Sequence, residues 1–310
     1  LASQQLVECV PNFSEGRRPD VVAAIVTAIT TAAPVHLLDS SSDPDHNRSV
    51  VTFAGEPQAV IEAAFAGIHA AASLIDLNVH QGEHPRIGAA DVVPFVPLRG
   101  ISLAECADLA RRLGQRVGDE LGLPVYLYEA AALRPERANL AVVRADPYER
   151  LRETIINDPQ RTPDFGPSAL GPAGAVAIGA RGPLIAFNAY LDTDDVTVAQ
   201  AIARVVRMSG GGLPHLKALG LLVNGQAQVS MNVTDFRQTS LFVIMDAVRR
   251  EAAKHGATVT HTELIGLIPQ AALIETALAH LGLPLETSAQ ILENRLGSVT
   301  GDYREILFNE

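Results

Sequence analysis

Between His80 and Phe95 the chain sets two imidazoles, two carboxylates and a guanidinium among residues that forbid a continuous helix: His80-Gln81-Gly82-Glu83-His84-Pro85-Arg86-Ile87-Gly88-Ala89-Ala90-Asp91-Val92-Val93-Pro94-Phe95. Reactive polar side chains on an irregular backbone, followed by an apolar strand-like run, make a loop equipped for chemistry. His80, Glu83 and His84 also spell His-x-x-Glu-His, a zinc-hydrolase pattern that needs both histidines on one helix face. Gly82 inside the pattern and Pro85 just after it turn the backbone away from a helix. A zinc hydrolase is therefore the weaker alternative and no metal is expected; histidines that only hydrogen-bond locally are a further one.

Other segments are as distinctive. Leu6-Val7-Glu8-Cys9-Val10-Pro11-Asn12-Phe13-Ser14-Glu15-Gly16 opens the chain, and Asp45-His46-Asn47-Arg48-Ser49-Val50-Val51-Thr52-Phe53 follows. Further on stand Val125-Tyr126-Leu127-Tyr128, Pro163-Asp164-Phe165-Gly166-Pro167-Ser168, Gly179-Ala180-Arg181 and Gln226-Ala227-Gln228-Val229-Ser230-Met231-Asn232. In this order, from Leu6 to about Gly297, these segments resemble the glutamate formimidoyltransferase family. The resemblance implies transfer of a formimidoyl group between N-formimidoyl-L-glutamate and tetrahydrofolate, a step of histidine degradation. Tetrahydrofolate is then a co-substrate, with no tightly bound cofactor.

By the same resemblance the catalytic histidine falls on His84, in Gly-Glu-His-Pro-Arg, and the folate-binding segment on Gly166, Pro167, Ser168, Ala169, Leu170, Gly171, Pro172, Ala173 and Gly174. Members of the family often carry a tryptophan near the end of that segment. This chain has none and reads Pro172-Ala173-Gly174 there. The reaction asks one side chain to take a proton from the attacking nitrogen and return one to the leaving nitrogen, work suited to an imidazole. Asp91 or Glu83 could orient that imidazole, Asp91 being preferred over a plain turn cap. Arg48 can bind a substrate carboxylate through its fork, with His46, Asn47, Arg86 and His80 as candidates for the same pocket. Rival readings are an idle folate-binding relative and a formyl transferase.

Bulk properties narrow the class. With 47% hydrophobic residues, 310 residues suffice for one large or two modest cores. Cys9 and Cys106 are too few for a disulfide framework and suit a reducing, cytoplasmic setting. A formal net charge of −11 argues against nucleic acid as partner, and the apolar runs are too interrupted for a membrane span. Because the proposed substrates are themselves anionic, Arg48, Arg86, Arg99, Arg181 and Arg207 are expected to line a positive groove. The family implies a homodimer. Its animal members carry a cyclodeaminase domain, so a separate cyclodeaminase is expected to consume the product here.

Periodicity supplies the elements that must hold these residues. Strand patterns occur at 7–11, 35–39, 48–53, 90–96 and 125–128, and helical ones at 19–31, 57–76 and 103–121, the last opened by a Ser102/Glu105 capping box. In the second half, strands are expected at 175–180, 184–191, 218–223, 227–233 and 259–267, and helices at 195–208, 240–254, 270–281 and 287–296. Each half reads as β-α-β-β-α-β, an α+β fold of two ferredoxin-like subdomains. The expected boundaries are 1–174 and 175–310, with a Pro/Gly-rich connector from Glu149 to Gly174.

Overall fold

The computed structural model describes residues 5–82 and 85–300. It divides into two compact units, residues 1–183 and 184–310.

The first unit runs β1 (Leu6–Cys9), β2 (Asn12–Phe13), α1 (Pro19–Ala32), β3 (Val35–Asp43), β4 (Arg48–Gly55), α2 (Pro57–Leu74), β5 (Ala90–Arg99), α3 (Leu103–Leu121), β6 (Val125–Glu129), α4 (Leu140–Val143), α5 (Tyr148–Asn157) and β7 (Val176–Ala180). β1 and β2 are one strand broken at Val10-Pro11, and both pair antiparallel with β4 on one side and β5 on the other. β3 adds antiparallel to β4, while β5, β7 and β6 continue the sheet in parallel. Period-2 alternation sends Val7, Cys9, Val51, Phe53, Val93 and Phe95 to one face, where they meet Ile25 and Ile29 of α1, Val60, Ala64 and Ile68 of α2, and Leu113 and Val117 of α3. Each such aliphatic or aromatic side chain contributes about 1.5–3 kcal/mol by leaving water. On the opposite face, Val92, Tyr126, Tyr128 and Ala177 are covered by Val143, Leu151 and Ile155 of the α4–α5 segment.

The second unit runs β8 (Ile185–Leu191), α6 (Val196–Val206), β9 (Leu216–Val223), β10 (Gln226–Val233), α7 (Leu241–Lys254), β11 (Val259–Ile265), α8 (Gln270–Leu281) and α9 (Leu292–Thr300). Its antiparallel strands stand in the order β11-β8-β10-β9. Ile185, Ala189, Leu191, Val229 and Met231 face Ile202 and Val206 of α6 and Ile244 and Val248 of α7.

Local signals translate well. Pro19 begins α1, Ser102 and Glu105 close a reciprocal capping box on α3, and Asp195 and Ser240 cap α6 and α7. Asn224 (φ 50°) and Gly225 (φ 74°) form the β9–β10 hairpin turn, both in the left-handed region that such a two-residue loop requires. Three expectations are revised. β3 extends to Asp43, because Ser40, Ser41 and Ser42 pair with β4 although their sequence reads as a turn. The strand at 176–180 belongs to the first sheet, between β5 and β6, so the division falls after Pro183 rather than at 174/175. The 149–174 stretch is accordingly not a bare connector: it holds α5 and returns the chain to its own sheet.

Removing the Ser102 hydroxyl in Ser102→Ala should lower the unfolding free energy of the first unit by about 1 kcal/mol, read from denaturant titration followed by a probe in that unit.

Candidate functional site

A β-bulge builds the centre of the site. Asn12 pairs with Val92 and Phe13 with Ala90, leaving Asp91 as the extra residue on β5. The flanking Phe13 and Ala90 pack with the helices, and Val92 packs on the opposite face. Asp91 has no accessible surface, yet its carboxylate is fully engaged. Oδ2 accepts from Arg48 at 2.6 Å and from Arg144 at 2.8 Å, and Oδ1 accepts from the Ile87 amide at 2.8 Å. Burial pushes the carboxyl pKa upward, but Arg144, Arg48 and the Ile87 amide together outweigh it and hold the group below its usual range. Arg48 also donates through Nε and Nη2 to Asn12 Oδ1, at 3.1 and 2.9 Å. Its fork is thus spent on Asn12 and Asp91, making it a rigid part of the site wall rather than an open clamp. Two guanidiniums thus meet on one buried carboxylate.

A second network fixes the loop before the bulge. Asn47, in the left-handed region (φ 47°), accepts from the Gly16 amide at 2.9 Å and donates to Gln81 O at 2.9 Å. His80 Nε2 lies 3.1 Å from Asn47 O, while its Nδ1 receives Arg86 Nε at 3.0 Å. A guanidinium can only donate, so Nδ1 is the acceptor and the His80 proton sits on Nε2. Both ring nitrogens are therefore committed, and burial, with Arg86 alongside, lowers the pKa below the ordinary histidine value. His80 is a neutral strut. Arg86 also bonds His80 O and makes a two-point contact with Glu149. His46 contributes through Nδ1 to Asp43 Oδ2, at 2.6 Å.

The expected folate segment meets this loop at its far end. Gly88 and Gly174 bridge, Ala89 N donates to Ala173 O and Ala175 N to Ile87 O. A Cβ on Gly88 would stand 1.8 Å from Ala175 O, so only glycine permits this approach. Leu77 N donates to Pro172 O, and the Tyr148 hydroxyl reaches Asn78 Oδ1 at 3.1 Å and Gly171 O at 3.3 Å. Beside these contacts an open groove of about 510 Å³ is lined by Leu77, Asn78, Tyr148, Glu149, Arg152 and Glu153. Gly166, Pro167, Ser168 and Ala169 are exposed, Leu170 half-buried.

The structure thus links His46, Asn47, Arg48, His80, Arg86, Asp91 and the Gly171–Gly174 end of the segment. His84 and Glu83 lie outside the described residues. Residues 80–82 and 85–86 carry no helix, and no cluster of His, Cys, Asp and Glu suited to a metal occurs among the described residues. Cys9 and Cys106 are buried free thiols, the latter pushed up to about 11 by burial. No helix among the described residues is long and apolar enough to cross a membrane. Sequence reasoning missed Arg144, Tyr148 and Glu149, which carry no local motif; the cue available was Arg144 and Asp146 preceding Pro147 at a helix start.

Residues 6–181 match the profile of the formiminotransferase domain, N-terminal subdomain, and residues 186–290 that of the formiminotransferase domain. The chain is 48% identical over 295 residues to a glutamate formimidoyltransferase of Thermoplasma acidophilum, spanning 94% of this chain and 97% of the relative. It is 44% identical to the Streptococcus pyogenes glutamate formimidoyltransferase, over 94% of this chain and 99% of the relative. The formimidoyltransferase-cyclodeaminase of Rattus norvegicus is 42% identical and longer: the match spans 57% of it.

Asp91→Asn should destabilise the first unit by roughly 3–5 kcal/mol, since it removes the buried carboxylate that the half-buried Arg48 and Arg144 share; denaturant titration measures this. His80 supplies a pH test. Its folded pKa is lowered, so the unfolded chain binds more protons between that value and about 6.5. Stability contributed by neutral His80 is complete above that window and declines as pH falls through it. Unfolding free energies of wild type and His80→Gln, compared between about pH 7 and pH 5, should diverge with the wild type falling more steeply.

Proposed function

The chain belongs to the formiminotransferase family, and on that footing we propose that it transfers the formimidoyl group between N-formimidoyl-L-glutamate and tetrahydrofolate. The observation that carries this reading is the match to stand-alone glutamate formimidoyltransferases over nearly the whole of both chains. Folate N5 attacks the amidine carbon and forms a tetrahedral intermediate. Its collapse breaks the bond to the glutamate nitrogen, yielding 5-formimidoyltetrahydrofolate and L-glutamate. The proton lost by N5 and the proton gained by the leaving nitrogen pass through His84 as general base and then general acid.

Several features support that assignment. In the chain His84 stands two residues after Gly82 and directly before Pro85. Gln81 is tied to Asn47, a Cβ on Gly82 would lie 2.4 Å from His46 O, and Pro85 O accepts from Arg144. His80 has no nitrogen left for proton transfer, which removes the one other imidazole of the same sequence motif. Asp91 acts as a positioning residue, holding Arg48 and Arg144 in place beside the loop that carries His84 in sequence. Segment Gly166–Gly174 binds the folate, with Tyr148 and the adjoining groove beside it. Both strand orders, β3-β4-β1/β2-β5 in the first unit and β9-β10-β8-β11 in the second, support ferredoxin-like subdomains. On the same reading the protein acts in histidine degradation in the cytoplasm, as a homodimer whose product passes to a cyclodeaminase.

Turnover of N-formimidoyl-L-glutamate with tetrahydrofolate in chelated buffer should be robust for the wild type and fall roughly a hundredfold or more in His84→Ala. Unchanged turnover in the variant would move the proton transfer to another group.

A further inference from the structure

Residues 85–87 are each tied down from a different place. Pro85 O accepts from Arg144, Arg86 O accepts from the Tyr148 amide at 2.9 Å, and the Ile87 amide donates to Asp91 Oδ1 at 2.8 Å. The side chain of Arg86 then turns back along the chain: Nε donates to His80 Nδ1 and Nη2 to His80 O, both at 3.0 Å. Two bonds between residues 80 and 86 close the base of the short segment that carries His84 in sequence. Arg86 is therefore a clasp. A long side chain left to itself samples many rotamers, so the clasp needs something to hold it shut.

Glu149, in the first turn of α5, does so. Its Oε2 accepts from Arg86 Nη1 at 3.1 Å and its Oε1 from Nη2 at 2.8 Å, a fork-to-fork contact that sets the guanidinium plane as well as its position. The hydrogen bonds from Arg86 hold the Glu149 carboxyl below its usual range, and burial opposes them less. A carboxylate in the first turn also suits the helix dipole, but the dipole asks for no particular partner. Folding stability does not account for the pair either: the Glu149 side chain is 61% exposed, and exposed ion pairs add little. What the pair supplies is orientation. The Tyr148 amide, one residue earlier, holds Arg86 O, so one turn of α5 grips Arg86 by backbone and side chain together.

We propose that Glu149 is a positioning residue for the reaction, holding Arg86 across residues 80–86 so that both ends of the segment bearing His84 keep a fixed separation. This role rests on the transferase reading above and is confined to orientation: Glu149 contacts Arg86 and no reacting atom. Proton transfer is steeply sensitive to placement, a misfit of about 1 Å costing on the order of a hundredfold in rate. Loss of Glu149 should therefore lower kcat and leave KM where it was. No sequence motif marks Glu149, and Arg86 lies 63 positions before it.

The test compares wild type with Glu149→Ala and with Glu149→Gln, which keeps one acceptor for the guanidinium. Glu149→Ala should lower kcat by about tenfold or more, with both KM values within about twofold and the melting temperature nearly unchanged. Glu149→Gln should fall in between, and carries the same readings if Glu149→Ala is unstable. Acetate, which can enter the open groove beside Glu149, should restore part of the lost kcat in Glu149→Ala. Nitrogen-15 NMR of the imidazoles reads the clasp without turnover: His80 should be protonated on Nε2 alone in the wild type and become a mixture of tautomers in Glu149→Ala. Unchanged kcat in a stable variant would overturn this role. A rise in KM at unchanged kcat would overturn it too, by making Glu149 a substrate contact, as would a His80 tautomer indifferent to the substitution. A wild type inactive with both substrates would instead overturn the transferase reading, with the NMR still deciding whether Glu149 holds Arg86 on His80.

Discussion

A carboxylate with no access to water, shared by two guanidiniums, is the constraint around which the first unit is arranged. Placing Asp91 in the interior carries a desolvation cost of several kcal/mol, which only close counter-charges and hydrogen bonds can offset. Arg48 arrives from the first position of β4, Arg144 from the end of α4, and the Ile87 amide from the loop before β5. The three are distant in sequence, so the pair network joins separate elements at one point. Any displacement of one element strips a partner from a buried charge, and the arrangement tolerates little slack.

The bulge makes this possible. In an unbroken ladder, neighbouring residues on β5 would alternate between the helix-covered face and its opposite. The extra residue lets Ala90 stay in the apolar core and Val92 pack under α4 and α5, while Asp91 reaches both arginines. The loop ahead of it is tethered by bonds that cost no net charge: a neutral His80, the Asn47 amide and a Gly88 contact too close for any side chain. Rigidity comes from hydrogen bonds that commit Asn47, His80, Arg86 and Arg48 to fixed partners.

The second unit uses an alternation of the same kind to another end. Its helix-facing positions are aliphatic or small, and its opposite positions mix amides and hydroxyls with Lys217, Leu219, Leu221 and a carboxylate held by Asn188 and Tyr190. The polar residues are not interchangeable decoration, because withdrawn amides such as those of Asn188 and Gln228 are unfavourable unless something pairs with them.

The sequence by itself determined what depends on neighbours along the chain. The Ser102/Glu105 capping box, Pro19 at the start of α1, the Asn224-Gly225 hairpin and the alternating strands are local, and each is realised at the expected place. The family and the loop containing His84, Arg86 and Asp91 were legible for the same reason, being contiguous motifs. Only the tertiary structure decided what depends on partners far along the chain. The strand at 176–180 reads the same whichever sheet receives it, and its parallel pairing with β5 and β6 is settled by nonlocal hydrogen bonds. Ser40–Ser42 become strand because β4 offers them a ladder. Asp91 was expected to serve an imidazole, yet its recorded partners include Arg144, 53 positions away and unmarked by any motif. Spacing can announce that a carboxylate is special; only the fold can say which charges it answers to.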